Sequence, residues 1–234
     1  MLKLKKSNER GYADHGWLKS YHSFSFANYY NPNQMHFSHL RVINDDIIAP
    51  TYGFGQHPHN NMEIFTYVLE GQLAHKDTMD NGSVIKAGDV QLMSTGYGVE
   101  HSEFNASDSE SVRLLQIWVI PNQKNTLPTY QQEHFTKESK LNKLKLIISE
   151  DGRNNSMVIK QDLSVYASIL ENGNSINYRI EPKRSVYIQV ANGSVNISGI
   201  TLNIGDALEI TNESSIFIES ISDTEFLLFD LVSL

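Results

Sequence analysis

Residues 57–71 read HPHNNMEIFTYVLEG, and residues 96–105 read GYGVEHSEFN. Each stretch carries two metal-binding side chains spaced two residues apart: His57 and His59, then His101 and Glu103. On a β-strand, residues i and i+2 project to the same face, so each pair would present two ligand atoms in one direction. Two such strands, paired or packed across a small barrel, would converge three imidazole nitrogens and one carboxylate oxygen. Imidazole suits iron, copper, nickel and zinc, and a carboxylate adds hard-oxygen character. Four ligands leave open positions on a six-coordinate ion, where a substrate or dioxygen can bind. Gly96 and Gly98 bracket Tyr97 ahead of the second pair; glycine permits the tight bend that would aim His101 inward. An H-x-H is weak evidence alone, and the second pair on the same period strengthens it. The remaining histidines carry no such pattern. His15 and His22 are expected to pack in an N-terminal strand and loop, and His75 in a hairpin. His36, His39 and His134 have no partner pattern.

The segments that must hold these pairs alternate with a period of two. "EIFTYVLEG" (63–71), "RLLQIWVI" (113–120), "SVYIQVANG" (185–193) and "EFLLFDLV" (225–232) are rich in β-branched and aromatic residues and are bounded by turn formers. Many short strands of this kind indicate a sandwich or barrel. "MDNG" (79–82) predicts a hairpin turn in which Asn-Gly supplies the positive φ angles. The polar stretch 129–145 has room for one short helix within a linker.

An internal repeat runs through the chain. "VLEGQL" (68–73) then "IKAGDVQLMS" (85–94) is echoed by "VANGSV" (190–195) then "LNIGDALEIT" (202–211). Strand, Gly turn, strand, Gly-Asp turn and strand recur in the same order, which predicts a duplicated β-barrel unit joined near residues 121–145. All nine histidines lie at or before His134, so only the first unit has an imidazole site.

Bulk composition excludes several classes. The balance of 19 basic against 27 acidic residues, net −8, argues against phosphate-backbone binding. The one basic cluster, "LKLKK", is expected to be a solvated strand edge. With no cysteines, disulfides, thiolate catalysis and sulfur-ligated metals are excluded. No apolar run approaches a bilayer span, and a soluble, cytoplasmic protein is the expectation.

These motifs resemble the pirin family of the cupin superfamily, and most of all its bacterial quercetin 2,3-dioxygenase-like members. "HPHNNMEIFTYVLEG", "DTMDNG", "KAGDVQLMSTGYGVEHSEFN" and "LLQIWV" carry the resemblance, with "GWLKSYHSFSFANYYNP" and "LRVINDDII" before them. It covers residues from about 9 to 120 strongly, and the second half mainly through its Gly-Asp framework. The resemblance implies an all-β bicupin of two tandem jelly-roll barrels. Residues 1–125 would form the metal-binding cupin, 126–145 a linker, and 146–234 a cupin without ligands. It implies one divalent metal on His57, His59, His101 and Glu103, with Fe(II) the first choice and Zn, Ni, Cu, Mn or Co as alternatives. Glu63 occupies the place of the glutamate in the general cupin pattern and is the alternative ligand, unless Asn60 and Asn61 break its strand. The implied activity is cleavage of a flavonol such as quercetin by dioxygen with release of carbon monoxide, Glu103 acting as general base. Phe54, Met62, Phe65 and Phe104 are candidate pocket walls. Two other implied readings are a metal-dependent protein-binding co-regulator of transcription, with a protein partner, and a redox sensor without turnover. No direct nucleic-acid contact is expected.

Overall fold

The computed structural model describes residues 1–234. No helix is long and apolar enough to cross a membrane. The chain runs from β1 (Leu2–Lys5) through β2 (Gly11–Asp14), β3 (Leu18–His22), β4 (Leu40–Ile48), β5 (Gly53–His59), β6 (Glu63–Glu70), β7 (Gln72–Asp77), β8 (Gly82–Lys86), β9 (Asp89–Ser94), β10 (Val99–Asn105), β11 (Val112–Val119) and β12 (Thr129–His134). After the one short helix α1 (Lys137–Lys140) come β13 (Lys145–Ser149), β14 (Met157–Val158), β15 (Leu163–Leu170), β16 (Ser175–Arg179), β17 (Arg184–Asn192), β18 (Ser194–Ile197), β19 (Ile200–Asn203), β20 (Ala207–Ile210), β21 (Ser215–Ser220) and β22 (Thr224–Val232).

Two compact units divide the chain. One comprises Arg10–His134 with Ile159–Gln161; the other comprises Met1–Glu9, Phe135–Val158 and Asp162–Leu234. The first has a seven-stranded sheet, β12-β9-β6-β11-β4-β3-β2, and a four-stranded sheet, β5-β10-β7-β8. The second repeats this layout as β1-β20-β17-β22-β15-β13-β14 and β16-β21-β18-β19. The chain is a bicupin: two double-sheet β-folds of matching strand order. The repeated glycines share a conformation, with φ of 74° at both Gly71 and Gly193. A Cβ at either would strike a backbone carbonyl, Ser111 O at 2.7 Å or Asp223 O at 2.1 Å. Only glycine fits that turn in each unit.

Three segments depart from the sequence expectation. Residues 1–9 fall in the second unit, because the alternating Leu2 and Leu4 pack on its core while β1 pairs antiparallel with β20. Lys3 and Lys5 both reach Glu209, at 3.3 and 3.5 Å. Residues 129–134, expected in a linker, form β12 and pair with β9, which satisfies the backbone groups of both. The 79–82 hairpin joins β7 to β8, yet its positive φ falls on Asp80, at 65°, and Asp77 Oδ1 accepts from the Met79 and Asn81 amides. A side-chain cap, and not an Asn-Gly pair, shapes that turn.

The two interiors differ in chemistry. The second is filled by an apolar cluster that includes Val186, Ile188, Leu208, Ile218, Phe226 and Leu228. In the first, a row of directly opposed polar residues crosses five strands: His22, Asn44, Gln116, Thr66 and Gln91. Opposed residues share a face, so this unit spends interior positions on polar groups and forgoes apolar filling there.

Deleting residues 1–6 leaves β20 with an unpaired edge and removes Leu2 and Leu4 from the core. The expected loss is about 2 kcal/mol of apolar burial, or a fall of about 4–8 °C in melting temperature. Hydrogen exchange of the Ala207–Ile210 amides localises the effect.

Candidate metal centre

β5 and β10 lie side by side in the four-stranded sheet, antiparallel, with His57 opposite His101 and His59 opposite Val99. One extra residue then bulges on β5, so that Glu103 faces Phe54. A bulge inserts one residue and re-aims the side chains beyond it. Gly53 pairs with Phe104 at this point, and a Cβ on it would lie 2.1 Å from Glu103 O and 2.4 Å from Phe104 Cα. Glycine is what lets the two histidine-bearing strands close up.

His57, His59 and His101 each offer a nitrogen within 4.8 Å of the others. Their ring centroids are 4.5–4.9 Å apart. His57 Nδ1 donates to Gly55 O at 2.7 Å, which leaves Nε2 as a lone-pair donor. His101 is 1% exposed, and neither of its ring nitrogens has a hydrogen-bond partner. Burial, with the neighbouring histidines, pushes His101 down to about 2 and His59 down to about 4. Both are therefore neutral near pH 7, the form that binds a cation. Orphaned buried imidazole nitrogens aimed into one cluster fit a divalent metal and little else.

Glu103 is fully buried on β10 and belongs to a second cluster with His101 and His75, again within 4.8 Å. Gln116 Nε2 donates to its Oε2 at 2.9 Å, and Thr66 Oγ1 to its Oε1 at 3.5 Å. Burial, then the charge of Asp46, pushes the carboxyl up to about 7. Glu63 lies elsewhere. β5 ends at His59 and β6 starts at Glu63, with Asn61 at a φ of 50° between them. The break sends Glu63 into the seven-stranded sheet, where Ser94 Oγ donates to it at 2.7 Å and the Lys160 amide at 3.3 Å. The alternative ligand is thus tied up outside the histidine cluster.

His75 was expected as an ordinary hairpin residue and is instead part of the buried assembly. Its Nε2 meets Asp77 Oδ2 at 3.1 Å, its ring stacks on Tyr130 at 5.0 Å, and its Nδ1 has no partner. Its place on β7, opposite Glu103 across the ladder, is a register fact that spacing along the chain does not reveal. His15 and His22 also have more than a packing place: both line a cavity of about 520 Å³ that reaches His57, His59 and Glu103. Phe54, Phe26, Tyr29 and Trp118 give that cavity aromatic walls. Phe26 meets Trp118 edge-on at 5.4 Å, and Trp118 meets His59 at 4.9 Å. Of the four expected wall residues only Phe54 lines it; Met62 and Phe65 pack elsewhere, and Phe104 points outward. Asn44 and Asp46, missed as lining residues, stand mid-strand in "LRVINDDII", where a polar run within an apolar strand was the available signal.

A bicupin with three imidazoles and a buried carboxylate around an aromatic cavity is a defined class, and sequence relationships place the chain within it. Residues 3–119 match the family Pirin, and residues 146–231 match the quercetinase C-terminal cupin domain. A quercetin 2,3-dioxygenase of Escherichia coli K12 is 47% identical over 231 residues, 99% of each chain. A pirin-like protein of Caulobacter vibrioides is 40% identical, over 98% of this chain and 99% of that one. The crystal structure of the bacterial pirin YhhW from Escherichia coli, in complex with nickel(II), superposes with a TM-score of 0.96 at 46% identity, over the whole of both chains. The chain belongs to the pirin family.

Two outcomes follow from this geometry. Gly53→Ala forces β5 away from β10, costing about 2–3 kcal/mol as an overpacked contact; nickel affinity, read by calorimetry, falls at least about tenfold. In chelator-treated protein, Glu103→Gln gains thermal stability relative to the parent as pH rises. Below about pH 4.5 the carboxyl is protonated folded or unfolded. Between there and about pH 7 only the unfolded chain ionises, so the parent loses stability, and the gap is constant above about pH 7. Melting curves from pH 4 to 8 check this.

Proposed function

We propose that the protein is a metal-dependent dioxygenase that cleaves a flavonol such as quercetin. His57, His59, His101 and Glu103 would hold one divalent ion. Fe(II) is the first choice for an imidazole and carboxylate set, and purified protein is free to carry nickel, zinc or copper by affinity order. The observation that carries this reading is the His57–His59–His101 cluster at the wall of an aromatic cavity of about 520 Å³. That volume lies within the usual range for small-molecule sites. The named activity of the E. coli K12 relative supports the choice of substrate class.

A divalent ion in this cluster supplies Lewis acidity, which lowers the pKa of a coordinated hydroxyl. The chain's own groups do the rest. Trp118, Phe26 and Phe54 confine a flat aromatic ligand and exclude water from its faces. Gln116 fixes Glu103 Oε2, so Oε1 is the atom that accepts the proton of the ligand's 3-hydroxyl. Buried away from water, that carboxylate is placed to hold the proton within the cavity and return it. His57 is held in one tautomer by the Gly55 carbonyl, so its lone pair needs no rearrangement.

The test is reconstitution with Fe(II) without oxygen, addition of quercetin, then admission of air. Dioxygen uptake and loss of flavonol absorbance are expected in the parent. His101→Ala should lose both metal and turnover. Glu103→Gln should keep its fold, hold metal less well and lose about 10²-fold or more in turnover, the scale of a general base. Metal bound in the parent with no flavonol loss would overturn the dioxygenase reading in favour of a binding protein or sensor.

A further inference from the structure

The cavity has a second polar feature besides the histidine cluster. Asp46 lines it, is 4% exposed, and its Oδ1 has no hydrogen-bond partner. A buried carboxyl oxygen without a partner is unfavourable for the fold, so its presence calls for a use. The other partners around it are spoken for. Ser20, directly opposite across the β3–β4 ladder, hydrogen-bonds the Asp46 carboxyl. His22 Nδ1 meets Asn44 Oδ1 at 2.9 Å. Asp45, the neighbour on the opposite face, is bound by Arg113 through two 3.0 Å contacts. Asp46 is the carboxylate of "NDD" that no arginine or lysine neutralises in this way, and it is the one that lines the cavity.

We propose that Asp46 recognises a phenolic hydroxyl of the ligand, so that the cavity selects polyhydroxylated aromatic compounds over plain aromatic ones. The proposal rests on the cavity being the substrate site and adds a specificity residue to it. A phenol matches this wall in two ways. Its ring suits the Trp118, Phe26 and Phe54 surfaces, and its hydroxyl can donate to or accept from a carboxyl. Asp46 Oδ1, buried on the cavity wall and without a partner, is the atom placed to accept from that hydroxyl. A site built around such a group penalises a ligand that leaves it unpaired far more than an apolar pocket penalises a missing methylene.

The probes are quercetin and 3-hydroxyflavone, which share the 3-hydroxyl and differ in the ring hydroxyls. Binding to nickel-loaded protein is measured without oxygen for the parent, Asp46→Asn and Asp46→Leu. The parent should prefer quercetin by about tenfold or more, the worth of one buried hydrogen bond. Asp46→Asn, which still donates and accepts, should keep most of the preference, and Asp46→Leu should reduce it to near unity. Nickel content and melting temperature should hold in Asp46→Leu, because removing a buried carboxyl does not by itself weaken a fold. Equal preference in the parent and Asp46→Leu would overturn the assignment, while aerobic quercetin loss in the same parent would leave the dioxygenase reading standing. An Asp46-dependent preference without quercetin consumption would do the reverse. Failure of both flavonols to bind the parent would overturn both.

Discussion

The pairing of β5 with β10 is the contact on which the rest of the site depends. It sets His57 opposite His101 and, through the bulge at Gly55 and Gln56, sets Glu103 opposite Phe54. A shift of one residue would turn each of these side chains to the other face. Gly53 permits the close approach, the Gly55 carbonyl fixes the tautomer of His57, and β7 on the far side of β10 brings in His75. The cluster is thus the product of one ladder with three strands, and not of any single motif.

Polarity inside the first unit leaves more buried side-chain atoms without partners than polarity inside the second, where Ser168 Oγ is such an atom. Gln91 is fully buried with neither amide atom partnered, and Asp46, His75 and His101 each keep an orphaned atom. Buried polar groups are normally paired, and here the unpaired atoms include His75 and His101 of the histidine–carboxylate clusters and Asp46 on the cavity wall. The matching topology of the second unit is filled with Ile, Val, Leu and Phe, which supplies apolar burial without chemistry. Duplication followed by such a division would leave one unit free to hold polar chemistry while the other is stabilised by apolar packing.

The electrostatics of the cluster act in one direction. Burial lowers His59 and His101 and raises Glu103 and Asp46, so the interior opposes charge of either sign. Neutral imidazoles at His59 and His101 beside one buried carboxyl make an interior in which a cation would displace at most that one carboxyl proton. The aromatic walls deepen this effect by keeping water from the same space.

The residues of the chain determined much by themselves. Period-two alternation and the Gly-Asp repeat specify two β units, because side-chain alternation and glycine-only turns are local properties. The two H-x-H and H-x-E pairs mark the cluster for the same reason, and the absence of any later histidine places it in the first unit. What the tertiary structure decided is non-local. The exchange of residues 1–9 into the second unit follows from an unpaired edge on β20. The exclusion of Glu63 follows from a backbone reversal at Asn61, and the inclusion of His75, His22 and Asp46 from strands that meet far apart in sequence. Strand register across a sheet is set by which edges pair and which faces bury, and neither quantity is written in the spacing of residues along one strand.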